Sequence, residues 1–174
     1  MPAFETLHAD ARVASRPPLM TDLETLVAKD RIAAVVHRLF TATDRRDWPA
    51  VRACLADVVD FDMTSLAGGN PARLTPTQIT DGWDAALKPI QNVHHQIGNL
   101  QIAVHGDAAT TFCYGIALHY RATASGDNVR RFVGSYDFAL RRSGEGWVIS
   151  AFRFNAKFVD GNLALEKAPL KGAK

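Results

Sequence analysis

The chain has 174 residues, of which 47% are hydrophobic and 22% charged, and carries a formal net charge of +2. These values suit one soluble domain with a hydrophobic core, and they exclude both a disordered chain and two comfortable domains. Short basic pairs such as Arg130–Arg131 and Arg141–Arg142 are too scattered for a nucleic-acid footprint, and neither a bilayer-length apolar run nor a secretory signal is present, so a cytoplasmic protein without membrane or nucleic-acid partners is expected.

Residues 1–20 hold a proline pair and little periodicity, and are expected to be an arm or tail. A helix comes next: Thr21 or Asp22 caps it, Leu23, Leu26 and Val27 open an apolar stripe, and Ile32, Val35, Val36, Leu39 and Phe40 continue it. A second short helix begins at Asp47, with Pro49 in its first turn. "DVVDFDMTS" is a strand candidate, "LAGGNPARLTPTQ" is expected to be loop, and Thr75–Pro76 opens a third helix that ends by Pro89. Strand candidates then run over 93–104, 108–124, 128–142 and 146–158, separated by turn sequences at 105–107, 124–128 and 143–146. Such short connections require antiparallel neighbours. Helices first and a long meander last predict an α+β fold, with helices packed on one face of a strongly curved, mostly antiparallel sheet that encloses a cone-like hollow. Cys54 and Cys113 lack metal or redox spacing and read as small buried hydrophobes.

A hollow makes the inward polar side chains informative. Asp44 lies four residues after Phe40, so it either extends the buried stripe or ends the helix in solvent, where Asp44 or Asp47 caps the next element. His94 and His95 point to opposite sides of a regular strand, and Gly98–Asn99 is able to shift the phase, so parity does not choose between them. His119 ends a row of small residues, Thr111, Cys113, Gly115 and Ala117, on a face that either leaves room for a ligand or accommodates helix packing. Tyr136 shares a parity with Phe132, Gly134, Phe138 and Leu140, and Arg153 shares one with Trp147, Ile149 and Ala151. Arg153 on that face suggests an internal ion pair or a hold on a substrate oxygen. Two histidines and a carboxylate also suit a metal facial triad, but no second carboxylate reinforces it, and no metal or other cofactor is expected.

Three segments in order, "FTATDRRDWPAVRACLADVVDFD", "VHHQIGNLQIAVHGDAATTFCYGIALHY" and "RFVGSYDFALRRSGEGWVISAFRFNAKFVDGN", resemble the SnoaL-like family, which has the cone-shaped fold of nuclear transport factor 2. The resemblance covers residues 21–162 and leaves 163–174 as a C-terminal tail. Within that family the site resembles scytalone dehydratase: Asp44 in "TDRRDW", His95 in "HQIG" and His119 match its catalytic groups. Three of its other site positions differ here, falling at Thr43, Met63 and near Tyr136, which implies another substrate.

The resemblance implies cofactor-free elimination of water from a small hydrophobic hydroxy-carbonyl compound of cyclic, polyketide or steroid type. His95 is expected to remove the carbon-bound proton, and His119, supported by Asp44, to donate to the departing hydroxyl. Tyr136 and Arg153, with Met63 and His94, are the expected substrate-binding residues. The alternatives are isomerase or cyclase chemistry, or a non-catalytic ligand-binding or assembly role like that of ring-hydroxylating dioxygenase small subunits. The bulky set Phe112, Tyr114, Ile116 and Leu118, or its equivalent on "FRFNAKF", is expected to contact another subunit in a homodimer or homotrimer.

Overall fold

Thr21 caps the first helix, α1 (Asp22–Asp44), through a reciprocal box: it accepts the Glu24 backbone N–H at 3.2 Å, and Glu24 accepts the Thr21 N–H at 2.8 Å. The computed structural model describes residues 21–172, so the expected arm at 1–20 lies outside the described residues. The covered stripe of α1 consists of Ala28, Ile32, Val36, Leu39, Phe40 and Thr43. Leu23, expected to open that stripe, is 69% exposed, and Leu26 is exposed as well. Helical spacing marks a face but does not say where the surface beneath it stops.

Arg46, at φ 55, turns the chain, and Asp47 caps α2 (Trp48–Arg52) by accepting the Ala50 N–H at 3.1 Å. Then come β1 (Leu55–Asp62), α3 (Thr64–Ala67), β2 (Ala72–Leu74) and α4 (Pro76–Leu87), the last entered through a Thr75–Gln78 capping box. The stretch expected to be all loop thus holds the end of a helical turn and an edge strand. Three residues are too few for alternation to show in sequence, and β2 exists because it pairs antiparallel with β1.

The long meander is present as β3 (Asn92–His105), β4 (Ala108–Tyr120), β5 (Val129–Ser143) and β6 (Gly146–Gly161). Strand order is β2-β1-β6-β5-β4-β3, antiparallel throughout except for β1 beside β6. The sheet curves as expected and does not close, since β2 and β3 remain edges. Register shifts fall between Gly98 and Gln101, Val133 and Gly134, and Ala139 and Leu140. The last two leave Lys157 and Ser150 as extra residues on β6, so the inward set shifts along β3 and β6 while β5 keeps its alternation.

α1 packs across β3 and the inner face of the sheet, burying Phe138, Leu140, Ile149, Phe152 and Phe154 with the helix stripe. Gly115 is required there, because a Cβ would stand 2.2 Å from the Tyr136 ring. On the outer face, Ile116, Val133 and Phe158 form a row in register across three strands, with Ile116 and Phe158 exposed. No described helix is long and apolar enough to cross a membrane.

The segment after β6 differs from the expected tail. It folds back so that Leu165 is fully buried against Leu87, Ile90 and Val93, and Leu170 bridges Thr123. Leu165→Ala should therefore lower unfolding free energy by ~2–5 kcal/mol in denaturant titration; a free tail would show no loss.

Candidate active site

The hollow survives as a cavity of about 400 Å³ between α1, α4 and the inner face of the sheet. Its lining is mostly apolar, including Leu39, Phe40, Met63, Trp83, Phe132 and Phe154, and its polar groups are few: His95, His119, Arg130, Tyr136 and Glu166 are the titratable ones. A small number of polar groups in an apolar chamber is the usual composition of a small-molecule site.

Asp44, the last residue of α1, reaches β3 rather than solvent. Its carboxylate accepts the His95 backbone N–H with both oxygens, at 3.1 and 3.0 Å, and lies 2.7 Å from His95 Nδ1. A carboxylate only accepts, so the proton on His95 sits at Nδ1 and the lone pair of Nε2 is left for the cavity. The Phe40 ring, 5.3 Å from the imidazole by centroids, packs beside it. His94 points the other way and is 67% exposed, with Nδ1 3.9 Å from Asp44. Strand alternation thus separates the two histidines, and the Asn99 bulge (φ 56) then moves the inward set from Val93, His95 and Ile97 to Leu100, Ile102 and Val104.

His119 lies on β4 diagonally across from His95, which pairs with Ala117 while His119 pairs with Val93. Asp44 contacts His95 and not His119, so the expected Asp44–His119 support is replaced by an Asp44–His95 dyad. His119 instead packs on Phe132, with centroids 4.8 Å apart, and its Nδ1 is buried without a hydrogen-bond partner. Burial first, then the Arg130 and His95 charges, push its pKa down to about 4.

Tyr136 lines the cavity with its ring wedged between Phe40 and Phe154, both 4.8 Å away by centroids. Burial raises its phenol well above the ordinary value and keeps the hydroxyl protonated. Met63, just past β1, also lines the cavity.

Arg153 is placed elsewhere. Ile149 pairs with Leu140 but Ala151 pairs with Ala139, so Ser150 is an extra residue and parity reverses. Phe152 and Phe154 face inward, while Arg153, 60% exposed, bonds Asp62 at 2.9 Å and borders a separate groove with Asp60, Arg73 and Asp137.

The cavity's cation is Arg130, held by Glu166 from the segment after β6. Neither was anticipated. Arg130 has the parity of Phe132 and Tyr136 and was legible on that ground, but Glu166 had no signal, since only the chain's return beyond Gly161 (φ 82) brings it there. Among the described residues no three His, Cys, Asp or Glu side chains cluster as a metal site.

A family model for a SnoaL-like domain matches residues 24–153. No curated protein matches the sequence. Among solved structures, the Kfla4162 protein from Kribbella flavida is similar with a TM-score of 0.78 and 21% identity, over 83% of this chain and 99% of that one. A protein assigned as a scytalone dehydratase from Novosphingobium aromaticivorans has a TM-score of 0.67 and 12% identity, over 86% and 96%. The hexachlorocyclohexane dehydrochlorinase LinA-type3 from Novosphingobium barchaimii has a TM-score of 0.68 and 14% identity, over 82% and 95%. At such identities the structures speak for the fold, and the family model for membership: the chain belongs to the SnoaL-like family and has its α+β fold of helices on a curved, open sheet.

Proposed function

We propose that the protein is a cofactor-independent lyase that eliminates water from a small hydrophobic hydroxy-carbonyl compound. The observation that carries this reading is the Asp44–His95 dyad on the wall of an apolar cavity. His95 Nε2 takes the proton from the carbon beside the carbonyl, and Asp44 stabilises the imidazolium that forms. The released electron pair becomes the new double bond as the C–O bond on the next carbon breaks. The departing hydroxide leaves as water by taking that proton back from His95, a syn elimination with one residue as base and then acid. His119, largely neutral near pH 7 because its pKa is depressed, serves better as a hydrogen-bond donor than as an acid. Tyr136, kept protonated, is available to the negative charge that develops on the carbonyl oxygen.

Dehydration and dehydrochlorination, the activities in two relatives' names, share loss of a proton and a leaving group from adjacent carbons. That common step fits a dyad in a mostly apolar chamber. Isomerisation or cyclisation of an unsaturated ketone would begin with the same proton removal, and products distinguish them.

Incubation with a panel of cyclic β-hydroxy ketones, with products read by mass spectrometry, should reveal loss of one water. His95→Ala should reduce that turnover by about a hundredfold or more, whereas Arg153→Ala, outside the cavity, should leave it unchanged. A folded His95→Ala variant with wild-type turnover would sink the reading.

His119 also predicts a pH dependence of stability. Its pKa is about 4 when folded, against an ordinary 6.5, so between these values the unfolded chain binds a proton that the folded chain does not. Stability contributed by the neutral imidazole is full above about 6.5 and is lost as pH falls toward 4, by up to ~3 kcal/mol. Chemical denaturation at pH 7 and pH 4 should show a smaller loss for His119→Asn than for the wild type.

A further inference from the structure

The proposed elimination uses His119 but leaves its neighbours, Arg130 and Glu166, without a role. His119 and Arg130 are directly opposed in the β4–β5 register, and both lie on the Phe132 ring: the imidazole centroid and the guanidinium carbon are each 4.8 Å from its centre. The Arg130 side chain is only 14% exposed, and Glu166 holds it with both oxygens, one accepting Nη1–H at 2.9 Å and the other accepting from Nη2. His119 Nδ1 and Arg130 Nε are both buried with no hydrogen-bond partner.

We propose that Arg130, fixed by Glu166, is a positioning residue that holds His119 as a neutral imidazole with its proton on Nε2, presenting an N–H to an acceptor oxygen of the substrate. Arginine donates and never accepts. A proton on Nδ1 would place two buried donors, on register partners, side by side with no acceptor for either. The lone pair therefore sits on Nδ1, and the proton on the nitrogen left for the cavity. The groups that set the His119 charge come from four elements: Arg130 on β5 and His95 on β3 oppose protonation, while Glu166 behind β6 and Asp44 at the end of α1 favour it. Burial and Arg130 prevail. The oxygen that meets this N–H is a carbonyl or hydroxyl oxygen, which orients the substrate between His119 and His95.

A purely structural role for the ion pair, pinning the chain after β6, is already filled by other groups. Arg121 donates to the carbonyls of Leu165 and Glu166, Leu165 is fully buried, and Leu170 bridges Thr123. The pair instead faces the cavity beside His119.

The inference rests on the proposed elimination only for what His119 meets, and its test needs no substrate. With the whole chain labelled at its histidine nitrogens, NMR should show His119, assigned by its loss in His119→Asn, as the Nε2–H tautomer and without titration between about pH 5 and 8. Arg130→Gln should raise the His119 midpoint by about one pH unit or more. Arg130→Lys should keep it low by retaining the charge. If Arg130→Gln fails to fold because Glu166 is left unpaired, the Arg130→Gln/Glu166→Gln double variant should give a smaller upward shift, because the Glu166 charge that favours protonation is lost with the larger Arg130 effect. A proton on Nδ1 in the wild type, or an unchanged midpoint in the folded charge-removing variant, overturns the inference. Either result beside an inactive His95→Ala leaves the elimination standing, whereas the expected spectra beside a fully active His95→Ala overturn the elimination alone.

Discussion

One carboxylate joins the two halves of this molecule. β3 is an edge of the sheet, so its outward N–H groups have no strand to pair with. Asp44, at the end of α1, accepts one of these, from His95, with both oxygens, and accepts from the His95 ring as well. The same contact closes the helix onto the sheet, covers an edge donor and fixes the tautomer of the imidazole. A charged acceptor makes such bonds stronger than neutral ones. The apolar stripe packs α1 onto the sheet, and this side chain ties the end of the helix to β3 at the cavity wall.

The second constraint is the phase of each strand. Strands of 13 to 16 residues do not stay flat, and here they curve at bulges rather than smoothly. The Asn99 bulge lets His95 and then Leu100, Ile102 and Val104 all face inward from one strand. The extra Ser150 on β6 directs two phenylalanines inward and Arg153 outward. Curvature and the choice of cavity-facing residues are thus one event. Gly115 completes it, because its missing Cβ gives the Tyr136 ring its place.

The two inward histidines share a chamber but have opposite surroundings. His95 has a carboxylate behind it and Nε2 free, the arrangement of a base. His119 has a buried cation beside it and an unpartnered Nδ1, the arrangement of a neutral donor. Environments that separate like groups into different protonation roles are what acid–base chemistry in one pocket requires. Elimination next to a carbonyl uses both roles.

The helix caps at Thr21, Asp47 and Thr75 and the four-strand meander were legible in the chain, because capping boxes, proline positions and turn residues are local signals read within a few residues. Asp44 on the apolar stripe, and Tyr136 on the parity of Phe132 and Phe138, came from periodicity. The resemblance to the SnoaL-like family pointed to His95 and His119. Periodicity failed where a strand gained a residue: parity alone gave Arg153 the wrong face and left His94 and His95 undecided. Leu23 and Leu26 had the right spacing for burial but lie exposed, since spacing does not reveal what covers a face. The partner of Asp44, the Arg130–Glu166 pair beside His119 and the burial of Leu165 join residues tens of positions apart. They were decided only when the sheet curved and the chain beyond β6 came back over it, because contacts between distant segments depend on where bulges and reversals bring them and leave no period in the sequence.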